Sequence, residues 1–384
     1  MKVLFVCQNP VDSFAGGVQH ITYELANSFK EIGIESLYLS VNKKEYKGLE
    51  RNYYIPNVAD IKSTENKQFI TELLGKNGVD IIINQCGIDF RLSKLIFDAA
   101  LGRPVITCFH NSLLGGIENF YHLHQSLFRR LKISRKIIES NLIKRIIRAI
   151  YIYAHKNGYI KICRKSARVI VLTNSMLSEL KVFVRNNDLK NVEVIPNFVS
   201  PVNLDKVKEK TIVYVGRIDR LYKQTDLAIS IWKNFSERHP DYHFYVVGDG
   251  KDLDFIKDLA VKKNCKNIHF EGQNNPDKYY KRASLLMFTS CSESFGLVLI
   301  EAMAYGIVPI AFDSYSAIRE IIDDGIDGCL VEPFNITQFS NTLSLLVEDK
   351  KRYDQMSTNA IAKARIFSKD IIIEKWLTIM KTVK

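Results

Sequence analysis

Val3, Leu4, Phe5 and Val6 form an unbroken apolar run, and beyond a polar loop Val18, Ile21, Leu25 and Phe29 recur at spacings of three or four. The first pattern predicts a buried β-strand and the second one face of an α-helix. The alternation continues along the chain. KVLFVCQ, ESLYLSV, VDIIINQC, RPVITCFHN, ARVIVLT and VEVIPNF read as strands in the first half; TIVYVGRID, YHFYVVGDG, NIHFEG, SLLMFTS, VPIAF and GCLVE do so in the second. Helical segments such as DLAISIWKNFSER lie between them. Strand and helix in turn predict α/β architecture with parallel sheets. Two doubly wound units fit better than one, since each block supplies about six strands. The polar stretch SPVNLDKVKEK, with Pro201, is the expected boundary. The expected domains are therefore 1–200 and 201–365, followed by an amphipathic helix over 366–384. Two such units facing each other would leave a cleft at the carboxyl ends of their strands, where ligands bind in this class.

The run SFGLVLIEAMAYGIVPIAF carries a single charge, Glu301. Its length would permit a membrane span, but Gly296, Gly306 and Pro309 interrupt it and a charge at its middle is expensive in lipid. A turn at Phe295 and Gly296, a helix to Tyr305 and a buried strand VPIAF account for it better. Glu293 then lies in the loop before the helix and Glu301 in its second turn. A helix start offers free N–H groups and partial positive charge, which suit a phosphate.

Composition changes little in this picture: 46% apolar and 25% charged residues are ordinary for a globular protein. Seven scattered cysteines without a C-x-x-C pair indicate neither a disulfide framework nor a zinc site, so reduced thiols in cytosol are expected. The N-terminus reads as a first strand and not as a signal peptide. Charge is more informative. Of 54 basic and 42 acidic residues, 13 and one (Glu139) fall between Gln125 and Arg168, which leaves the rest of the chain neutral.

Several residues fall where ligands bind in such folds. Gly16 and Gly17 follow the first strand and open a helix, a place where backbone can approach a phosphate, although an ordinary loop pair fits too. No G-x-G-x-x-G or G-x-x-x-x-G-K-[ST] is present, so neither a dinucleotide oxidoreductase nor a P-loop is supported. Arg217 and Lys223 in GRIDRLYKQTD follow a strand and would suit a dianionic leaving group, or stand as a solvated pair. VVGDG, including Gly248, is a second strand-to-turn signal. His110 ends the strand VITCFH, where a structural histidine is equally at home. The DLD at Asp252 to Asp254 reads as a helix cap with an acidic first turn, and His122 and His124 lack partners at ligand spacing. No metal site is expected.

Together, Glu293 and Glu301 in ESFGLVLIE form an E-x7-E motif. With GGV near the N-terminus, VIPNF, GRIDRLYKQTD, VVGDG and the closing FSKDIIIEKW, the chain resembles the family 4 retaining glycosyltransferases of GT-B fold over essentially its full length. The resemblance implies two Rossmann-like domains, an N-terminal acceptor-side domain and a C-terminal nucleotide-sugar domain, with the C-terminal helix returning to the first. It implies catalytic roles for His110 at the reacting sugar, Arg217 and Lys223 on the leaving diphosphate, and Glu293 on the sugar hydroxyls. Donor contacts would come from Gly16, Gly17, Asn197, Gly216, Gly248, Ser294, Phe295, Gly296, Leu297 and Glu301, the last on the ribose. One departure is Asn111, where the family often has an acid directly after the histidine.

The implied reaction moves a sugar from a nucleotide-sugar, UDP being the commoner donor, to a glycan acceptor. Neither metal nor cofactor is implied. Fixed cations and helix N–H groups would stabilise charge building on the diphosphate. Rival readings are a nucleotide-sugar epimerase of the same architecture and a non-catalytic binder of membrane or nucleic acid. The basic segment contains no recognised nucleic-acid module. Within it Ile137, Ile138, Leu142, Ile146, Ile150 and Tyr153 recur at helical spacings among Lys136, Lys144, Arg145 and Arg148. Such a helix either packs its apolar face on the first domain or lies on an anionic membrane. The second option predicts a peripheral enzyme on the cytoplasmic face, acting on lipid-linked glycans of a bacterial surface polysaccharide.

Overall fold

The structure is a computed structural model that describes residues 1–12, 16–43, 52–118, 120–132, 134–138, 140–203 and 208–383. The polar stretch expected to hold the boundary lies partly outside the described residues.

The first sheet contains β1 (Lys2–Cys7), β2 (Glu35–Ser40), β3 (Asn52–Tyr54), β4 (Ile81–Asn84), β5 (Val105–Phe109), β6 (Arg168–Val171) and β7 (Val192–Val194). The second contains β8 (Thr211–Val215), β9 (His243–Val247), β10 (Ile268–Gly272), β11 (Leu285–Phe288), β12 (Val308–Phe312) and β13 (Cys329–Val331). Their orders are β3-β2-β1-β4-β5-β6-β7 and β10-β9-β8-β11-β12-β13. Every pairing is parallel. Each sheet thus reverses its winding beside its first strand, between β1 and β4 and between β8 and β11. In a doubly wound sheet that reversal opens a crevice at the strands' carboxyl ends. The centres of both sheets are dry: Leu4, Phe5, Ile82 and Ile106 in the first, and Ile212, Phe244, Leu285 and Ile310 in the second, are fully buried.

The chain divides into two compact units, 1–113 with 145–197 and 370–384, and 114–144 with 198–369. The second begins at Phe198 because Val199 is held within it: its amide donates to Phe367 O at 2.9 Å, and its carbonyl accepts from Lys369 N at 3.1 Å. The C-terminal helix Lys369–Val383 serves the first unit, where Trp376 meets Phe29 edge-on at 6.4 Å and Thr382 accepts from Arg168. The basic segment is divided, with residues 114–144 grouped in the second unit.

The apolar run resolves into the helix Leu297–Ala304 and β12, with Leu299, Ile300, Ala302, Met303 and Ile310 fully buried. Among the described residues no helix is long and apolar enough to cross a membrane.

Candidate functional site

In the second unit the carboxyl ends of β8 and β11 carry the residues of interest. After β8 the chain turns at Gly216 and enters a loop held by Asp219. This buried carboxylate accepts from the amides of Leu221 at 2.8 Å and Tyr222 at 2.7 Å, with Lys251 at 3.6 Å and Arg217 at 3.9 Å. Burial opposes its charge, but the Tyr222 and Leu221 amides and the two cations outweigh that and hold it below its ordinary value. The loop is strapped to the end of β11. Cys291 N donates to Tyr222 O at 2.8 Å, and Thr289 Oγ1 donates to Lys223 O at 2.8 Å. The strap delivers Lys223 to Glu293, and the two form an ion pair across seventy residues of sequence, each side chain about one-fifth exposed. Arg217 stands apart from that pair: its side chain is 61% exposed and leans on Asp219.

Four residues beyond Glu293 begins the helix Leu297–Ala304, which no side chain caps. Gly296 occupies the cap position at φ +86°, where a Cβ would lie 2.9 Å from both Leu299 Cδ1 and the Tyr315 hydroxyl. Glycine is therefore required there for the turn itself. Phe295 is buried edge-on against Phe367 at 5.6 Å, which fixes the loop from behind, and Ser294 is half-buried beside it. The first amides of this helix form a partial positive end at the crevice of the second sheet. In the second turn Glu301 accepts from the buried Tyr280 hydroxyl at 3.1 Å. Gly248 has a packing role, since a Cβ on it would lie 1.9 Å from Gly216 O.

Asp252 occupies the cap position of the helix Leu253–Lys262 but makes no side-chain bond to it. Its carboxylate instead accepts from Arg220, at 2.9 Å from the amide and 3.1 Å from Nε. The expected cap is thus corrected to a loop clamp, because Arg220 offers a charged donor and an amide together. Among the described residues no group of three or more His, Cys, Asp or Glu could hold a metal ion.

In the first unit Gly16 is the cap of the helix Gly17–Glu31 at φ +121°, again with no side-chain cap, and a Cβ on Gly17 would meet nothing within 4 Å. His110 follows β5, two strands away along the same carboxyl edge. Its Nε2 lies 2.5 Å from Oε1 of Gln85, the buried residue that follows β4. An amide oxygen only accepts, so Nε2 carries the proton. Burial pushes the imidazole down from 6.5 to about 4. The loop after it is held by the buried Glu179, which accepts from Ser112 Oγ at 3.0 Å and Leu113 N at 2.6 Å. A carboxylate thus reaches this loop from the helix Asn174–Phe183. Asn197 is half-buried at the last position of the first unit.

These facts set a pH dependence. Between about 4 and 6.5 the unfolded chain takes up a proton that native His110 refuses, so His110 makes stability fall as pH drops through that window. NMR titration should show a neutral Nε2–H imidazole down to about pH 5, and Gln85→Glu should raise its pKa by supplying a negative partner. A wild-type midpoint near 6.5 would contradict the burial.

Gln85, Glu179, Asp219 and Tyr280 were not among the candidates from sequence. Asp219 had a signal, its place inside GRIDR, and Gln85 a weaker one as the residue ending IIINQ.

The chain is similar to known proteins in part of its sequence and in its fold. Residues 198–363 match the family model described as glycosyl transferases group 1. An uncharacterized glycosyltransferase of Haemophilus influenzae is 29% identical over 220 residues, covering 56% of this chain and 61% of that protein. The N-acetylgalactosamine-N,N'-diacetylbacillosaminyl-diphospho-undecaprenol 4-alpha-N-acetylgalactosaminyltransferase of Campylobacter jejuni is 29% identical over 213 residues, covering 52% and 56%. The chain thus spans less than two thirds of either relative's length. Among solved structures, HepE of Anabaena in complex with UDP and glucose superposes with a TM-score of 0.73 at 16% identity, covering the whole of both chains. The fold is therefore GT-B, two Rossmann-like sheets of seven and six parallel strands, and its second unit carries the match to the group 1 glycosyl transferases.

Proposed function

We propose that the protein is a retaining family 4 glycosyltransferase. It transfers a sugar from a UDP-sugar to a lipid-linked glycan during synthesis of a bacterial surface polysaccharide, without a metal, as a peripheral protein on the cytoplasmic face of the membrane. The observation that carries this reading is the Lys223–Glu293 pair, set four residues ahead of an uncapped helix start at the switch point of the second sheet.

Transfer breaks the bond between the sugar's anomeric carbon and a phosphate oxygen, and the electron pair stays on the diphosphate. Lys223, Arg217 and the amides of Phe295 to Leu297 are the groups that stabilise that charge. Glu293, drawn from Lys223 as the ammonium turns to phosphate, holds the sugar's hydroxyls. Glu301 takes the ribose, with Tyr280 fixing its carboxylate. No carboxylate is assigned as nucleophile. The acceptor oxygen attacks from the face the diphosphate leaves, and its proton passes to the departing phosphate oxygen, which preserves configuration. The names of the relatives support the substrate class: the Campylobacter enzyme acts on a diphospho-undecaprenol glycan, and HepE was solved with UDP and glucose.

A thermal-shift panel of nucleoside diphosphates tests the donor. A ligand held only by the native state at a hundred times its Kd stabilises by about 2.7 kcal/mol. UDP is expected to raise the melting temperature and ADP and GDP much less; no response to any of them would reject the reading. Gly17→Ala should melt like wild type, since its Cβ enters open space, yet lose turnover if Gly17 serves the donor. Full activity in that variant would remove Gly17 from the site.

A further inference from the structure

Among the described residues, the non-glycine positions with positive φ are Leu101, Lys132, Gln224, Asn264, Asn267 and Phe334. The others are exposed or half-buried, whereas Gln224 is only 4% exposed. It stands at φ +53° and ψ +41°, directly after Lys223, in the cap position of the helix Thr225–Ser236. That left-handed conformation costs glycine little and a residue with a Cβ more. A long amide side chain buried at such a turn therefore points to a purpose beyond the turn itself.

The course of the side chain supplies that purpose. It makes no cap bond to the helix. Instead Nε2 turns back and donates to Leu221 O at 3.1 Å, and the side chain also hydrogen-bonds Cys291. Cys291 Sγ donates to the same Leu221 carbonyl at 3.2 Å. Gln224 thus closes the turn 221–224 from inside and ties it to the segment after β11. That segment also holds Tyr222 O through Cys291 N and Lys223 O through Thr289 Oγ1. The carbonyls of Leu221, Tyr222 and Lys223 are all engaged. A lysine ammonium rides on a flexible four-carbon stem, so it is placed only as well as its backbone is. With the backbone fixed, the ammonium can exchange Glu293 for another anion by rotating its stem alone.

We propose that Gln224 is a positioning residue for Lys223: its buried amide fixes the backbone from which the ammonium reaches the leaving diphosphate. The proposal deepens the donor-site part of the proposed function and rests on it.

Two replacements in the full chain separate this role from simpler ones. Gln224→Met keeps length and bulk but loses the amide. Gln224→Gly loses the whole side chain but suits the backbone. Initial rates of UDP release are measured with UDP-glucose, UDP-galactose and UDP-N-acetylglucosamine in the presence of a membrane-lipid extract. Both variants are expected to lose at least about tenfold in kcat, towards the roughly 10²-fold that a misplacement of about 1 Å can cost. Donor KM should stay within a few-fold of wild type, because the weakened contact is made to charge that develops in the transition state. In a Lys223→Ala background either replacement should change the rate by less than about twofold, since residues acting through one another are non-additive. Hydrogen exchange in the peptide 219–225 should be faster in both variants. Full turnover in Gln224→Gly would reduce Gln224 to a turn residue, and full turnover in Gln224→Met to a space-filling one. Either result overturns the proposal, as does the whole loss persisting without Lys223 or an unchanged exchange rate. If wild type shows no melting response to UDP, the donor reading fails first, and the exchange data still judge the hold on the loop.

Discussion

Lys223→Ala is expected to lower turnover by at least about 10²-fold, the usual loss when a charge-stabilising contact at a developing anion is removed. The structure adds a second consequence. Glu293 is about one-fifth exposed and has Lys223 for its cation, so truncation leaves a carboxylate partly withdrawn from water beside an empty volume. That costs about 1–3 kcal/mol. Loss of activity should therefore come with a modest fall in melting temperature, and circular dichroism should show the sheets intact. Glu293→Ala should also abolish transfer, by loss of the grip on the sugar's hydroxyls. A folded Lys223→Ala protein working within a few-fold of wild type on its matched donor would remove this lysine from the chemistry.

The largest stability effect is expected from Gly248→Ala. The new Cβ would sit 1.9 Å from Gly216 O, at a φ of +144° that side chains rarely adopt. A backbone carbonyl cannot swing away as a side chain can. It is held because Gly216 N donates to Val247 O at 3.0 Å and Gly248 N to Gly272 O at 2.8 Å, which lace β8, β9 and β10 together. The substitution should cost more than about 4 kcal/mol, within the class of severe backbone clashes, and urea unfolding or loss of soluble protein would report it. Gly75→Ala is the control: it lies in the helix Thr64–Asn77 with nothing within 4 Å of its Cβ. It should stabilise by about 0.5–1 kcal/mol. Near-equal stabilities of the two variants would contradict the packing described for Gly248.

The sheet order was legible because buried parallel strands leave long Val and Ile runs while their helices leave a period near 3.6. Each run named from sequence became a strand, and the interrupted apolar stretch around Glu301 became the helix and strand its glycines and proline require. What escaped was local or long-range. β3, three half-buried residues NYY at a sheet edge, has no apolar run to announce it. The Lys223–Glu293 and His110–Gln85 contacts join segments seventy and twenty-five residues apart, which spacing cannot reveal. Glu179 sits in a helix whose pattern gives no hint that its carboxylate reaches back to Ser112. Periodicity found the apolar positions Leu142, Ile146, Ile150 and Tyr153 but could not say which side of their helix faced protein. Gly158 and Tyr159 pack on Phe90, and those four stand exposed.

The most direct test of the central claim is NMR of the anomeric centre after incubation with the matched UDP-sugar and a membrane-lipid extract, run with and without chelator. The proposed chemistry gives an α-linked product from an α-linked donor, with UDP released in equal amount and no change in rate on chelation. A β-linked product, or conversion of the donor when acceptor is left out, would contradict it.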